Sequence, residues 1–145
     1  MSDIRKAYTQ YLETKAAVTA LVTATRIRPQ FLPQNDTEPV IVVRIISGES
    51  DQHLTGGCGS AQTRMQIDCF ADDPTEAYAV REAVRVSTPP SCGAQWGVGD
   101  DLVTVTDLAH ENFGERDEYP IDGSSRPRCV AHFDLVVQHH EAVPA

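Results

Sequence analysis

The sequence predicts an α+β fold: a mainly antiparallel β-sheet with an N-terminal helical region and one further helix packed on one face. Three observations carry this. Across residues 60–69, Ala61, Thr63, Met65, Ile67 and Cys69 hold the odd positions and Gln62, Arg64, Gln66 and Asp68 the even ones. Side chains on a strand alternate between faces, so the segment buries one face and wets the other. Directly after it, Asp73-Pro74-Thr75-Glu76 opens a helix to residue 86, with a capping Asp, Pro at the first helical position and Glu three residues past the cap. Finally, the elements run helix, strand, strand, strand, helix, strand, strand. That order lacks regular βαβ alternation and argues against a doubly wound nucleotide-binding fold.

The elements follow in order. Residues 3–23 carry Ile4, Ala7, Tyr8, Tyr11 and Leu12, then Val18, Leu21 and Val22, at helical spacing. The polar Glu13-Thr14-Lys15 stretch between them predicts one bent helix or two short ones. Residues 25–29 form a brief strand that Pro29 ends or confines to an edge. Residues 30–38 hold polar turns around Pro33 and Asn35-Asp36. Residues 39–46 (PVIVVRII) are rich in β-branched side chains and predict a central strand buried on both faces, apart from Arg44.

Residues 47–60, with four glycines, are too long for a tight hairpin connection and predict a projecting loop. After the helix, Pro89-Pro90 stops the chain from continuing it. The Gly-rich stretch at residues 91–101 holds the only Trp and has no assigned role. Residues 102–109 form a further strand, and 111–127, polar with two glycines and two prolines, predict a second long loop. Residues 128–138 are the last strand, with Cys129, Ala131, Phe133, Leu135 and Val137 on one face and Arg128, His132, Asp134 and Gln138 opposite.

At 145 residues the chain is expected to form a single domain spanning 1–145, ordered over about 3–138, with residues 139–145 a flexible tail. No apolar run reaches the ~18 residues of a membrane span, and the N-terminus lacks the apolar core of a signal peptide. A soluble protein made in the cytoplasm and without a membrane partner is expected. The net charge of −9 argues against affinity gained by neutralising nucleic-acid phosphates, while suiting a wall past which DNA slides.

The four cysteines, Cys58, Cys69, Cys92 and Cys129, form no CxxC pair and read as buried and reduced. The five histidines form no HExxH or HxH pattern, so no metal is assigned. Gly56-Gly57-Cys58-Gly59 lacks the Lys and Ser/Thr of a P-loop. Cys58 or Cys92 with a distant His lies in no catalytic signature. The chain is therefore read as non-enzymatic, with no cofactor and no catalytic residue.

In order, AVTALVTATRIRP (17–29), LPQNDTEPVIVVRIIS (32–47) and TRMQIDCFADDPTEAYAVREAV (63–84) resemble the tail completion proteins (tail terminators, or head-to-tail joining proteins) of long-tailed bacteriophages. Residues 108–119 and 126–137 fit that family more loosely. The resemblance implies a non-catalytic structural virion protein, made in the host cytoplasm and located at the tail and neck. Such proteins form a homo-oligomeric ring, commonly a hexamer, that caps the tail tube and meets a head completion or neck protein. DNA passes through the channel without specific binding. A closed ring needs two different complementary patches per subunit. Arg64, Gln66 and Asp68 on the wet strand face, and Glu49, Asp51 and His53 in the 47–60 segment, are the interface candidates. A small non-catalytic α+β ligand- or partner-binding module is the alternative.

Overall fold

The computed structural model describes residues 4–22, 27–29, 39–53, 56–90, 94–118 and 128–141. The N-terminal region is two short helices, α1 (Ile4–Glu13) and α2 (Ala16–Thr19), broken at the polar stretch. A short strand β1 (Ile27–Pro29) precedes the long strands β2 (Val40–His53) and β3 (Gly56–Ala71). Helix α3 (Pro74–Ser87), strand β4 (Ala94–Trp96) and a 3-10 turn (Gly99–Asp101) lead to β5 (Val103–Glu118) and β6 (Arg128–Glu141). The six strands form one sheet in the order β1-β2-β3-β6-β5-β4. Only β1 and β2 pair in parallel; the other neighbours are antiparallel. As Pro29 demands, β1 lies at an edge.

All three helices contribute to one core on one face of the sheet. Ile41, Val43, Met65, Ile67, Cys69, Phe133, Leu135 and Val137 supply the sheet side; Ile4, Ala7, Tyr8 and Leu12 of α1, Val18 of α2, and Val80 and Val84 of α3 supply the helix side. The periodicities of 2 and 3.6 are thus satisfied against the same layer. Asp73 caps α3 as its sequence requires, its carboxylate accepting the Thr75 N–H at 2.8 Å, with Pro74 in the first turn. The far end of α3 is stitched by side chains. Tyr11 donates its hydroxyl to the Ser87 carbonyl at 2.6 Å, Thr88 donates to the Val84 carbonyl at 2.8 Å, and Tyr8 pairs with the Thr88 hydroxyl at 2.8 Å. These bonds satisfy carbonyls that a helix end leaves open and tie α1 to α3. Burial pushes the Tyr8 hydroxyl pKa up, against the lowering effect of its bond to Thr88.

Several segments differ from the sequence reading. The predicted 47–60 loop is instead the continuation of two strands: β2 runs on to His53 and β3 starts at Gly56, with pairs out to His53↔Gly56. Likewise the predicted 111–127 loop begins as strand, since β5 continues to Glu118 and pairs with Arg128. The last strand continues through Glu141, so residues 139–141, expected to fray, are paired with β3 and β5. In each case ladder hydrogen bonds to a neighbouring strand hold a stretch whose side chains are mostly polar or glycine. Register shifts between Ile45/Ser47 and Ser50/Gln52 in β2, and between Val105/Asp107 and Glu111/Gly114 in β5, absorb the irregular spacing. β2 is buried on both faces only over Val40–Val43, whereas Ile45 and Ile46 are exposed.

The Gly-rich 91–101 stretch supplies the core with Trp96, which is 1% exposed. Its ring lies 4.7 Å from that of Tyr8 and 5.5 Å from that of Tyr11. Gly97 follows at φ +86, where a Cβ would sit 2.6 Å from the Asp101 carbonyl oxygen and 3.1 Å from the Ala7 Cα. Only glycine lets the chain turn there and lie against α1.

Candidate functional site

The face of the sheet away from the helices carries the polar residues. Because β2, β3, β6 and β5 pair in register, their outward side chains form rows. Arg44, Gln66, Asp134 and Glu111 stand in one row; Ser47, Arg64, Val136 and Ala109 in another; Val42, Asp68, His132 and Gly114 in a third. Arg64, Gln66 and Asp68 therefore do share one face, as their spacing predicted, and the structure joins them to Arg44, Glu111, Arg116 and Asp134. For Glu49, Asp51 and His53 the backbone lies in β2, but their side chains lie outside the described residues.

Arg64 is the centre of one cluster. It donates to Glu111 at 2.6 Å and to Asp134 at 3.0 Å, and Asn112 Nδ2 also donates to Asp134, at 2.9 Å. The bond to Glu111 first, then that to Asp134, raises the Arg64 pKa and holds the guanidinium charged. Asp68 is the centre of the other. Gln66 Nε2 donates to it at 2.9 Å, and the guanidiniums of Arg116 and Arg44 approach it at 3.4 and 3.5 Å.

Asp68 corrects the sequence reading in one respect: it sits on the predicted wet face yet is 0% exposed. Alternation tells which face a side chain takes, not how well that face is covered. Here Val40, Val42, Phe70 and Val130 form a second, smaller apolar cluster, whose Val42 is the β2 register partner of Asp68. A buried carboxylate must be paired and hydrogen-bonded, which explains the donors Gln66 and Arg116 and the ion pair with Arg44.

Three guanidiniums thus meet three carboxylates, and charge balances across the face. The most exposed of these pairs, Arg64–Glu111, contributes little stability singly, about 0–1 kcal/mol. The chief effect of the pairs is to hold long side chains in fixed positions. Carboxylates engaged by guanidiniums are poor general bases. The sequence signals for the partners were present but scattered: Asp134 alternates with core residues in β6, whereas Glu111 and Arg116 fell in a segment read as loop.

The other candidates have structural surroundings. His110 Nε2 lies 2.7 Å from the Thr88 carbonyl and its ring stands edge-on to Phe133; burial lowers its pKa. His139 pairs with the Thr63 hydroxyl at 2.9 Å. Cys69 lies in the core, where burial pushes its thiol pKa up, and the half-buried Cys129 lies 3.9 Å from the Asp72 carbonyl. The side chains of Cys58 and Cys92 lie outside the described residues. Among the described residues, no group of three His, Cys, Asp or Glu side chains is placed to hold a metal, and no helix is long and apolar enough to cross a membrane. A cleft of about 240 Å³ lined by Pro74, Ala77, Glu115, Arg116 and Cys129 is smaller than the roughly 300–1,000 Å³ usual for ligand pockets.

The sheet thus carries helices on one face and a network of ion pairs on the other, and comparison with known proteins places this fold in a family. Residues 6–87, from α1 through α3, match the family model described as tail completion protein gp17; the chain belongs to this family of bacteriophage tail completion proteins, structural proteins of the virion tail. A chain in the solved structure titled "Virion of native gene transfer agent (GTA) particle" shares its fold, with a TM-score of 0.56 and 19% identity, covering 93% of this chain and 94% of that one. No curated protein matches the chain in sequence.

Proposed function

We propose that this protein is a ring subunit that closes the head-proximal end of a phage tail tube and joins it to the neck of the capsid. The observation that carries the reading is the family match over residues 6–87. The near full-length likeness to a chain of a gene transfer agent particle supports it, as does the balanced ion-paired sheet face. Its role is non-catalytic, and function resides in surfaces. The copies form a closed ring, a hexamer by the habit of such proteins. One side of the ring meets the tail tube protein and the other a head completion or neck protein. DNA passes through the channel, and the excess of 21 acidic over 12 basic residues disfavours its retention there. Arg64, Gln66 and Asp68 belong to the face that orients these contacts, and the β2–β3 hairpin bearing Glu49, Asp51 and His53 reaches toward the tail or neck.

The test is reconstitution with the cognate tail tube protein. Native mass measurement and electron microscopy should show a ring, alone or on tube ends, and tubes that stop growing once it binds. A chain that stays monomeric with tubes present and leaves their length distribution unchanged refutes the reading.

A further inference from the structure

The two sides of the sheet end in unlike, partly uncovered strands. On one side β1 pairs with β2 only at Ile41–Val43. Residues 44–48 beyond it are all exposed, and Ile45 and Ile46 are 43% and 49% exposed. On the other side β4 pairs with β5 only at Val103–Val105. Beyond it Asp107, Ala109 and Glu111 are exposed, and the Asp107 carboxylate covers the Leu108 N–H at 2.9 Å. β2 pairs with β3 and β5 with β6 along these stretches, and among the described residues no strand pairs with the outer edge of either. Open strand edges with adjacent apolar side chains are sites where another chain adds its own strand.

The two stretches suit each other. Three antiparallel steps separate β2 from β5, through β3 and β6, so the two run in opposite directions. If copies are arranged about an axis along the strands, β5 of one copy meets β2 of the next as an antiparallel pair. The uncovered stretches also lie at the same height: Arg44 shares a row with Glu111, Ile45 with His110, and Ser47 with Ala109. Carrying the rows across the junction sets Arg44 of one copy opposite Glu111 of the next, an opposite-charge cross-strand pair.

We propose that copies of this chain join head to tail by pairing β2 residues 44–49 of one with β5 residues 107–111 of the next, forming a continuous intersubunit sheet. The occupant of each edge is a second copy, chosen by strand direction, matching height and charge. The junction is heterologous, as ring closure requires, and it rests on the ring reading above. Short β1 and β4 limit the pairing to this window, and the Asp107 carboxylate is displaced from the Leu108 N–H as the neighbour's strand arrives.

The test uses the full chain with single substitutions at exposed positions. Ser47→Cys protein is mixed under mild oxidation with Ala109→Cys protein, or with Asp107→Cys or Glu111→Cys to read neighbouring registers, in the presence of tail tubes. Glu76→Cys, on α3, is the control partner, and each variant oxidised alone sets the background from native cysteines. Facing residues have a high effective concentration, so the Ser47/Ala109 mixture should give roughly tenfold or more cross-linked dimer than the control. If wild type forms a ring but none of the three pairs exceeds the control, this junction is wrong and the ring reading stands. If wild type stays monomeric with tubes present, both are overturned.

Discussion

Replacing Asp68 with alanine tests whether a fully buried carboxylate anchors the polar face. Its closest partner is Gln66 at 2.9 Å, with Arg116 and Arg44 at 3.4 and 3.5 Å. A hydrogen bond to a charged group contributes about 1.5–3 kcal/mol. The two arginine contacts are long for hydrogen bonds, and both guanidiniums are partly exposed, at 45% and 35%. They rehydrate when the carboxylate goes, so the loss falls short of the 3–5 kcal/mol typical of stranding a fully buried charge.

Removal still leaves Gln66 without its acceptor and two like charges over one gap, so Asp68→Ala should destabilise by about 2–4 kcal/mol. Arg44→Ala removes only a half-exposed partner and should cost about 0–1 kcal/mol. Asp68→Asn keeps an acceptor for Gln66 and should fall between. Trp96 is the single tryptophan and is buried, so its fluorescence reports urea unfolding directly. With a slope of about 2 kcal/mol/M, Asp68→Ala should lower the midpoint by roughly 1–2 M. If its midpoint moves no further than that of Arg44→Ala, Asp68 is not the anchor and the face is merely solvated.

Two further outcomes are expected. Trp96→Ala removes the ring that packs against Tyr8 and Tyr11 and should cost about 3–5 kcal/mol, read by circular dichroism; a loss under about 1 kcal/mol would mean α1 does not depend on this contact. His110 is held below its ordinary pKa of 6.5, mainly by burial. The unfolded chain therefore binds the proton more readily, and stability is full above pH 6.5 and declines as pH falls from there toward the folded-state value. His110→Asn, which removes the titration, should flatten that part of a melting-temperature profile; an unchanged slope would locate the effect elsewhere.

Much of this protein was legible in order of residues alone. The alternation at Met65, Ile67 and Cys69, the Asp73-Pro74 start of α3, the break between α1 and α2 and the edge position enforced by Pro29 are local signals, and local physics sets them. The family was legible too, in segments spread from residue 17 to 84, and the matched region covers them. Local pattern reports which residues seek burial, however, and says little where strands pair beyond the core. Residues 47–53, 56–60 and 111–118 look like loop because they are polar or glycine-rich, yet a neighbouring strand supplies their backbone hydrogen bonds. Asp68 reads as wet because it alternates with Ile67 and Cys69 and shares the face of Arg64 and Gln66; it is dry on a face where Val40, Val42, Phe70 and Val130, from three different strands, form an apolar cluster. Trp96 lies in a stretch with no periodicity, and its ring packs on Tyr8 and Tyr11 of α1, some 85–90 residues earlier in the chain. Sequence by itself determined the family and most of the elements with their faces, though not β4 (Ala94–Trp96), which lies in the Gly-rich stretch left without an element. Tertiary structure decided how far the strands extend, which charges meet and which edges stay open, because those depend on residues brought together across the whole chain.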